Sequence, residues 1–180
     1  MVQDVIDISP SGDVILVVGP DQVQLRVASQ ALRGVSKPLN SMLSPTYSEG
    51  QDLDESCPKD VALPEDDANA FELVCNVIHH RNRYLPNVVN PEEVEQIAVL
   101  SEKYDCIEAM RFAAKAWLSP QLQHTIVDLE HLMVAAYLFG EAEKFSLVTQ
   151  ALVLQHTSSF RLLRNTDMIV HRLGWETLRT

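Results

Sequence analysis

The sequence predicts an α+β domain in which a small β-sheet packs against a cluster of helices, with a C-terminal helical extension. Three observations lead there. Before Val27 the apolar residues alternate or run together over a few positions, the spacing of short strands. From Pro64 onward they recur at i, i+3, i+4 and i+7, the spacing of amphipathic helices. Turn-forming residues sit between these stretches, among them Gly12-Asp13, Gly19-Pro20-Asp21, Pro45 and Gly140. The expected division is residues 1–118 for the domain and 119–180 for the extension, with Ser119-Pro120 at the boundary.

Taken in order, Val5 to Ile8 reads as a first strand, Val14 to Val18 as a buried second, and Val23, Leu25 and Val27 as the inward face of a third. Short turns between them suggest a meander. Ser29 reads as the N-cap of a short helix with Leu32 and Val35 inward, and Ser36 as the cap of a second with Leu39, Met42 and Leu43 inward. Pro38 is tolerated in the first turn of that second helix, and Pro45 ends it. Residues 51–60 read as a polar loop and Val61-Ala-Leu63 as a short strand.

Pro64-Glu-Asp-Asp-Ala opens a helix with acids in its first turn and Phe71, Val74, Cys75 and Ile78 on one face; the cations of His79-His80-Arg-Asn-Arg83 are expected to end it. Asn90-Pro91 starts the next helix, with Val94, Ile97, Ala98, Ser101 and Tyr104 sharing a face. Asp105-Cys-Ile-Glu108 resembles a capping box for a helix through Met110, Ala113, Ala114 and Trp117. The extension reads as helices over about Val127 to Phe139, Glu141 to His156 and Thr166 to Leu173, packing back on the domain.

The order Asp13-Val-Ile-Leu16, then Leu32-x-x-x-Ser36-x-x-Leu39-x-x-Met42-Leu43, then Glu49 resembles the core of a BTB/POZ domain, where an Asp-Val-x-Leu strand leads into a Leu-x-x-x-Ser-x-x-Phe-x-x-Met-Leu helical hairpin. Leu39 stands where the family has Phe, and Ala28 where it has His. Leu25-Arg-Val-Ala-Ser29-Gln-Ala-Leu32 is similar to phrases in the BTB proteins of filamentous fungi, and Ser101-Glu-Lys-Tyr104 to the family's Ala-Asp-Lys-Tyr. The helices after residue 118 resemble the start of a BACK extension. Animal relatives carry a long helix ahead of the Asp-Val strand, whereas twelve residues precede Asp13 here, so their strand-exchanged dimer is not part of the expectation.

The resemblance implies a non-catalytic module for protein interaction or oligomerisation. Tyr47-Ser48-Glu49 resembles the apolar-x-Glu element with which many BTB domains contact a cullin scaffold, which makes Tyr47 and Glu49 the candidate partner-binding residues and a substrate adaptor of a cullin-type ubiquitin ligase the specific form. A transcriptional or chromatin co-factor working through nuclear protein partners is the alternative, and a thiol enzyme the remote one.

Composition restricts the classes further. The net charge of -11 opposes direct nucleic-acid binding, which asks for a basic stripe. No apolar run approaches the roughly 18 residues of a membrane span, and Met1-Val-Gln-Asp does not open a secretory signal, so an intracellular protein of the cytoplasm or nucleus is expected. Cys57, Cys75 and Cys106 are three and widely spaced, which suggests reduced thiols. Neither zinc-ligand spacing nor a phosphate-binding glycine loop nor a nucleophile elbow occurs, so no cofactor, metal or small-molecule substrate is expected. Asp105 beside Cys106 would blunt that thiol. Nine carboxylates lie from Glu49 to Glu72 against the single Lys59, either a solvated loop followed by a helix N-terminus whose dipole favours acids or a docking face for a basic partner. Phe160, Leu163 and Trp175 beside arginines have the composition of an interface centre or of a segment packing on the preceding helices.

Overall fold

The computed structural model describes residues 4–121 and 123–155. They form an α+β arrangement of one four-stranded sheet and seven α-helices. No helix among them is long and apolar enough to cross a membrane. Phe160, Leu163, Trp175 and the helix expected over Thr166 to Leu173 lie outside the described residues. Two compact units are present: one holds the residues up to Pro86 together with Leu100–Arg111, the other Asn87–Val99 together with the described residues from Phe112 onward.

In the first unit the strands are β1 (Ile6–Asp7), β2 (Val14–Val18), β3 (Val23–Val27) and β4 (Lys59–Leu63). β2 lies between β3, antiparallel, and β4, parallel. The register sets Leu16 between Leu25 and Val61, so Val14, Leu16, Val18, Leu25, Val27, Val61 and Leu63 share one buried face. The expected meander is corrected here. The most apolar strand takes the centre, where both of its edges are paired, and this leaves β1 only the outer edge of β3, on which it runs parallel with Ile6 opposite Leu25. The turn before β2 depends on Gly12, since a Cβ there would lie 2.5 Å from the Val27 carbonyl oxygen.

Helices α1 (Ser29–Val35) and α2 (Lys37–Met42) form the short hairpin. Ser36 caps α2 as expected, accepting from the Leu39 N–H at 3.0 Å while its hydroxyl donates to the Tyr104 carbonyl at 2.6 Å. Ser29 does not cap α1. It is already the first helical residue, and the cap comes from across the fold: the Asp13 carboxylate accepts from the Ser29 N–H at 2.7 Å and from its hydroxyl at 2.6 Å. Val35 is exposed rather than inward, while Leu32 is fully buried.

Helix α3 (Ala68–Ile78) starts later than the acidic run suggested, with Asp67 as its N-cap accepting from the Ala70 N–H at 2.8 Å. Phe71, Val74, Cys75 and Ile78 are buried as their spacing requires. The helix ends at the expected segment, but the residue at its cap is not a cation. His79 caps α3 as a neutral ring, its Nδ1 at 2.8 Å from the Cys75 carbonyl oxygen and its Nε2 accepting from the Ala28 N–H at 3.0 Å. Accepting at Nε2 leaves the proton on Nδ1, and burial lowers the ring's pKa.

Helix α4 (Pro91–Lys103) buries Val94, Ile97, Ala98 and Ser101, and Tyr104 just beyond it, on the expected face. Helix α5 is Ile107–Trp117. Its start puts Cys106, not Asp105, at the cap position, so the expected capping box is absent; Asp105 belongs to the end of α4, with a left-handed φ of 48°. In the second unit, helix α6 (Ile126–Leu138) opens on a capping box between Thr125 and Asp128 and is buried nearly all round, from Leu129 through Phe139. Gly140 ends it, and α7 (Ala142–Gln155) turns Val148 and Leu152 inward.

Candidate partner-contact site

The chain leaves α2 through Leu43, which is fully buried, and enters a single 3-10 turn at Ser48–Gly50. Close packing holds that turn. A Cβ on Gly50 would lie 2.1 Å from the Ser44 carbonyl oxygen, so this position admits only glycine without a backbone shift. The Lys59 ammonium, carried by β4, donates to the Ser48 carbonyl and, at 3.0 Å, to that of Gln51.

Tyr47 stands at the head of this turn with 54% of its surface exposed, although its neighbours at Leu43 and Gly50 are buried. Glu49 is partly exposed, and its carboxylate accepts from the Ser48 hydroxyl at 2.8 Å. Its own backbone N–H, that hydroxyl and the Lys59 charge hold it below the ordinary carboxylate range, so it is ionised at neutral pH. The two sequence-identified residues therefore share one turn that offers an aromatic ring and a pre-charged carboxylate to solvent.

The acidic run around the turn has two parts. Between Gln51 and Pro58 it is exposed loop, tied down where Arg26 donates to the Glu55 carbonyl at 2.8 Å. Asp66 and Asp67 are structural instead. Asp67 caps α3, and Asp66 is 6% exposed, accepting from the Lys103 ammonium and the Tyr104 hydroxyl at 2.6 Å each. Asp67 is thus the carboxylate expected at a helix N-terminus, exposed at its cap position, whereas the buried Asp66 belongs neither to a solvated stretch nor to a docking face. Lys103-Tyr104, part of the family-like phrase in the sequence, is thus the clamp on a buried carboxylate.

The cysteines are free thiols, with Cys57 exposed and Cys75 and Cys106 buried. Burial pushes the Cys75 thiol far up; for Cys106 burial, assisted by the Asp105 charge, pushes it up to about 11. Neither is a ready nucleophile. Among the described residues no group of three or more His, Cys, Asp or Glu is placed to hold a metal ion.

Sequence reasoning missed one exposed group. The spacing of His79 to Arg83 reads as the end of a helix, and nothing in it marks Tyr84, which carries both arginines on its ring. An Arg-x-Arg-Tyr string inside an acidic chain is the signal that could have found it. No protein-family model matches the chain, and no curated protein matches it.

Proposed function

We propose that this chain is a BTB/POZ-type, non-catalytic interaction module that holds a protein partner through the turn after α2. Tyr47 fills an apolar cleft of the partner and Glu49 pairs with a cation beside it. The specific partner in this reading is a cullin-type ubiquitin-ligase scaffold, with the chain as its adaptor.

The observation that carries the proposal is the exposure of Tyr47 on a turn whose backbone is fixed by Gly50 and Lys59. An aromatic side chain in water gains nothing for the fold, whereas one held on a rigid turn loses little entropy on docking. The order of elements supports the family resemblance: an antiparallel strand pair, a helical hairpin with Ser36 at its centre, then a strand parallel to the first of the pair. Burial of Cys75 and Cys106 takes those two thiols out of reach of a substrate, while Cys57 is exposed.

Calorimetric titration with a purified cullin scaffold tests the proposal. The unmodified chain should bind, and the Tyr47→Ala/Glu49→Ala variant should lose about 2 kcal/mol or more of binding with its melting temperature nearly unchanged. Absence of binding by the unmodified chain ends the cullin reading. A collapsed melting temperature in the variant would assign Tyr47 to packing.

A further inference from the structure

No carboxylate occurs between Glu72 and Glu92, although the chain as a whole carries 25 acids against 14 Lys and Arg. Arg81, Arg83 and Tyr84 lie in that gap. The Arg81 guanidinium stacks 4.0 Å from the centre of the Tyr84 ring and that of Arg83 4.8 Å from it, and Arg83 Nη2 donates to the Tyr84 hydroxyl at 2.8 Å. Tyr84 is half exposed. Some cations of the protein take carboxylate partners, as in Lys37 with Asp105 and Lys103 with Asp66, and others, as Arg26 and Lys59, bond backbone carbonyls. Neither Arg81 nor Arg83 has a carboxylate within 4.0 Å among the described residues.

The backbone beneath this group is fixed at both ends. Asn82–Tyr84 is a 3-10 turn, closed by the Tyr84 N–H on the Arg81 carbonyl at 2.9 Å. Before it, the Arg81 N–H bonds the Asn76 carbonyl at 2.8 Å, and the Arg81 side chain donates to the Asp7 carbonyl. Stacking on a ring fixes the plane of a guanidinium while its edge donors keep their fork geometry, which matches a carboxylate. The rotamer entropy usually lost on binding is thereby reduced beforehand. Aromatic rings beside arginines are also the composition enriched at interface centres.

We propose that Arg81, Arg83 and Tyr84 form a second docking surface, one that takes a short acidic segment of a partner protein by its Asp and Glu carboxylates. Charge complementarity names the occupant: the turn is cationic, within a stretch from 73 to 91 that carries no carboxylate of its own, on an anionic chain. At physiological salt the Debye length is about 8 Å, so a docked acid feels these guanidiniums while more distant acids are largely screened. The surface is independent of Tyr47 and Glu49 and does not rest on the cullin reading.

Fluorescence polarisation of a labelled hexaglutamate peptide with the full chain tests it. Hexaglutamate should bind, and unlabelled hexaglutamate should displace the labelled peptide. Arg83→Glu should weaken binding about tenfold or more, equivalent to about 1.4 kcal/mol. Arg83→Lys should recover only part of it, because an ammonium lacks the planar fork. Tyr84→Ala should also weaken it, and salt at about 1 M, where the Debye length falls to about 3 Å, should abolish it. Lys37→Glu, a charge reversal at a 93% exposed side chain elsewhere in the protein, is the control and should leave binding unchanged. No binding by the unmodified chain overturns the proposal. So does equal weakening by Arg83→Glu and Lys37→Glu, which would reduce the attraction to overall charge.

Discussion

Each of the two units buries a carboxylate, and they satisfy it by different means. In the unit that carries the sheet, Asp66 receives the Lys103 ammonium and the Tyr104 hydroxyl, with the Tyr104 ring packed edge-on against Phe71 at 5.3 Å. In the helical unit, Glu95 on α4 meets His131 on α6 at 2.7 Å, with 6% and 14% of the two side chains exposed. Burial and the Asp66 bond raise the Tyr104 pKa above its ordinary value, so tyrosine keeps its proton throughout the physiological range. Histidine does not. A buried carboxylate is thus a fixed structural element in one unit and a pH-dependent one in the other, according to the partner the fold brings to it.

The largest effect should come from emptying the fixed site's apolar wall. Phe71 is 1% exposed, so Phe71→Ala removes its burial and leaves a cavity beside Tyr104, at a cost of about 3–5 kcal/mol. Urea or thermal unfolding measures it. An unchanged melt would remove Phe71 from the core and break the account of Asp66 with it.

Next comes the titratable pair. The Glu95 hydrogen bond, with the charges of Glu92 and Glu130 in support, raises the His131 pKa above its ordinary 6.5 against the opposing effect of burial. A raised folded value means that the pair's contribution is fully present below pH 6.5 and is lost as pH rises through the folded value. His131→Gln should therefore cost about 1.5–3 kcal/mol at low pH, the range for a charged hydrogen bond, and less in mildly alkaline solution. His79 works in the opposite sense. Its value is lowered, so its contribution is present above 6.5 and is lost as pH falls below it. Urea midpoints against pH for His131→Gln and His79→Gln should diverge from the unmodified curve at opposite ends. Parallel curves would remove the distinction between a charged and a neutral histidine.

The smallest effects lie at helix ends, where the units differ again. Three helices finish in the same geometry, the N–H of a left-handed residue and the one after it both returning to the last turn: His80 at φ 58°, Asp105 at φ 48° and Gly140 at φ 67°. The helical unit uses glycine there and the other unit does not. His80→Gly and Asp105→Gly should each stabilise by a few tenths to about 1 kcal/mol by relieving the left-handed strain. Gly140→Ala should destabilise by about the same amount, since no atom lies within 4 Å of the added Cβ and only the backbone angle resists it. Thermal melts of the three variants measure these differences.

Much of this protein is legible in its sequence. The stripe Phe71, Val74, Cys75 and Ile78 and the face Val94 to Tyr104 are buried because helical spacing by itself brings such residues to one side. Gly140 as a stop and Ser36 as a cap are equally legible, being set by backbone angle and by the nearest N–H groups. The exposed Tyr47-Ser48-Glu49 turn is legible as a motif, but its rigidity is not, since that comes from Lys59 and from the contact that forbids a side chain at Gly50. Tertiary structure alone decided the rest. It gave β1 the far edge of β3, brought Asp13 to cap α1, buried Asp66 under groups 37 and 38 residues away and carried the Ala28 N–H to His79 across 51. Periodicity records which face of an element is apolar, whereas the protonation and partners of a polar group depend on which distant donor the packed chain delivers to it.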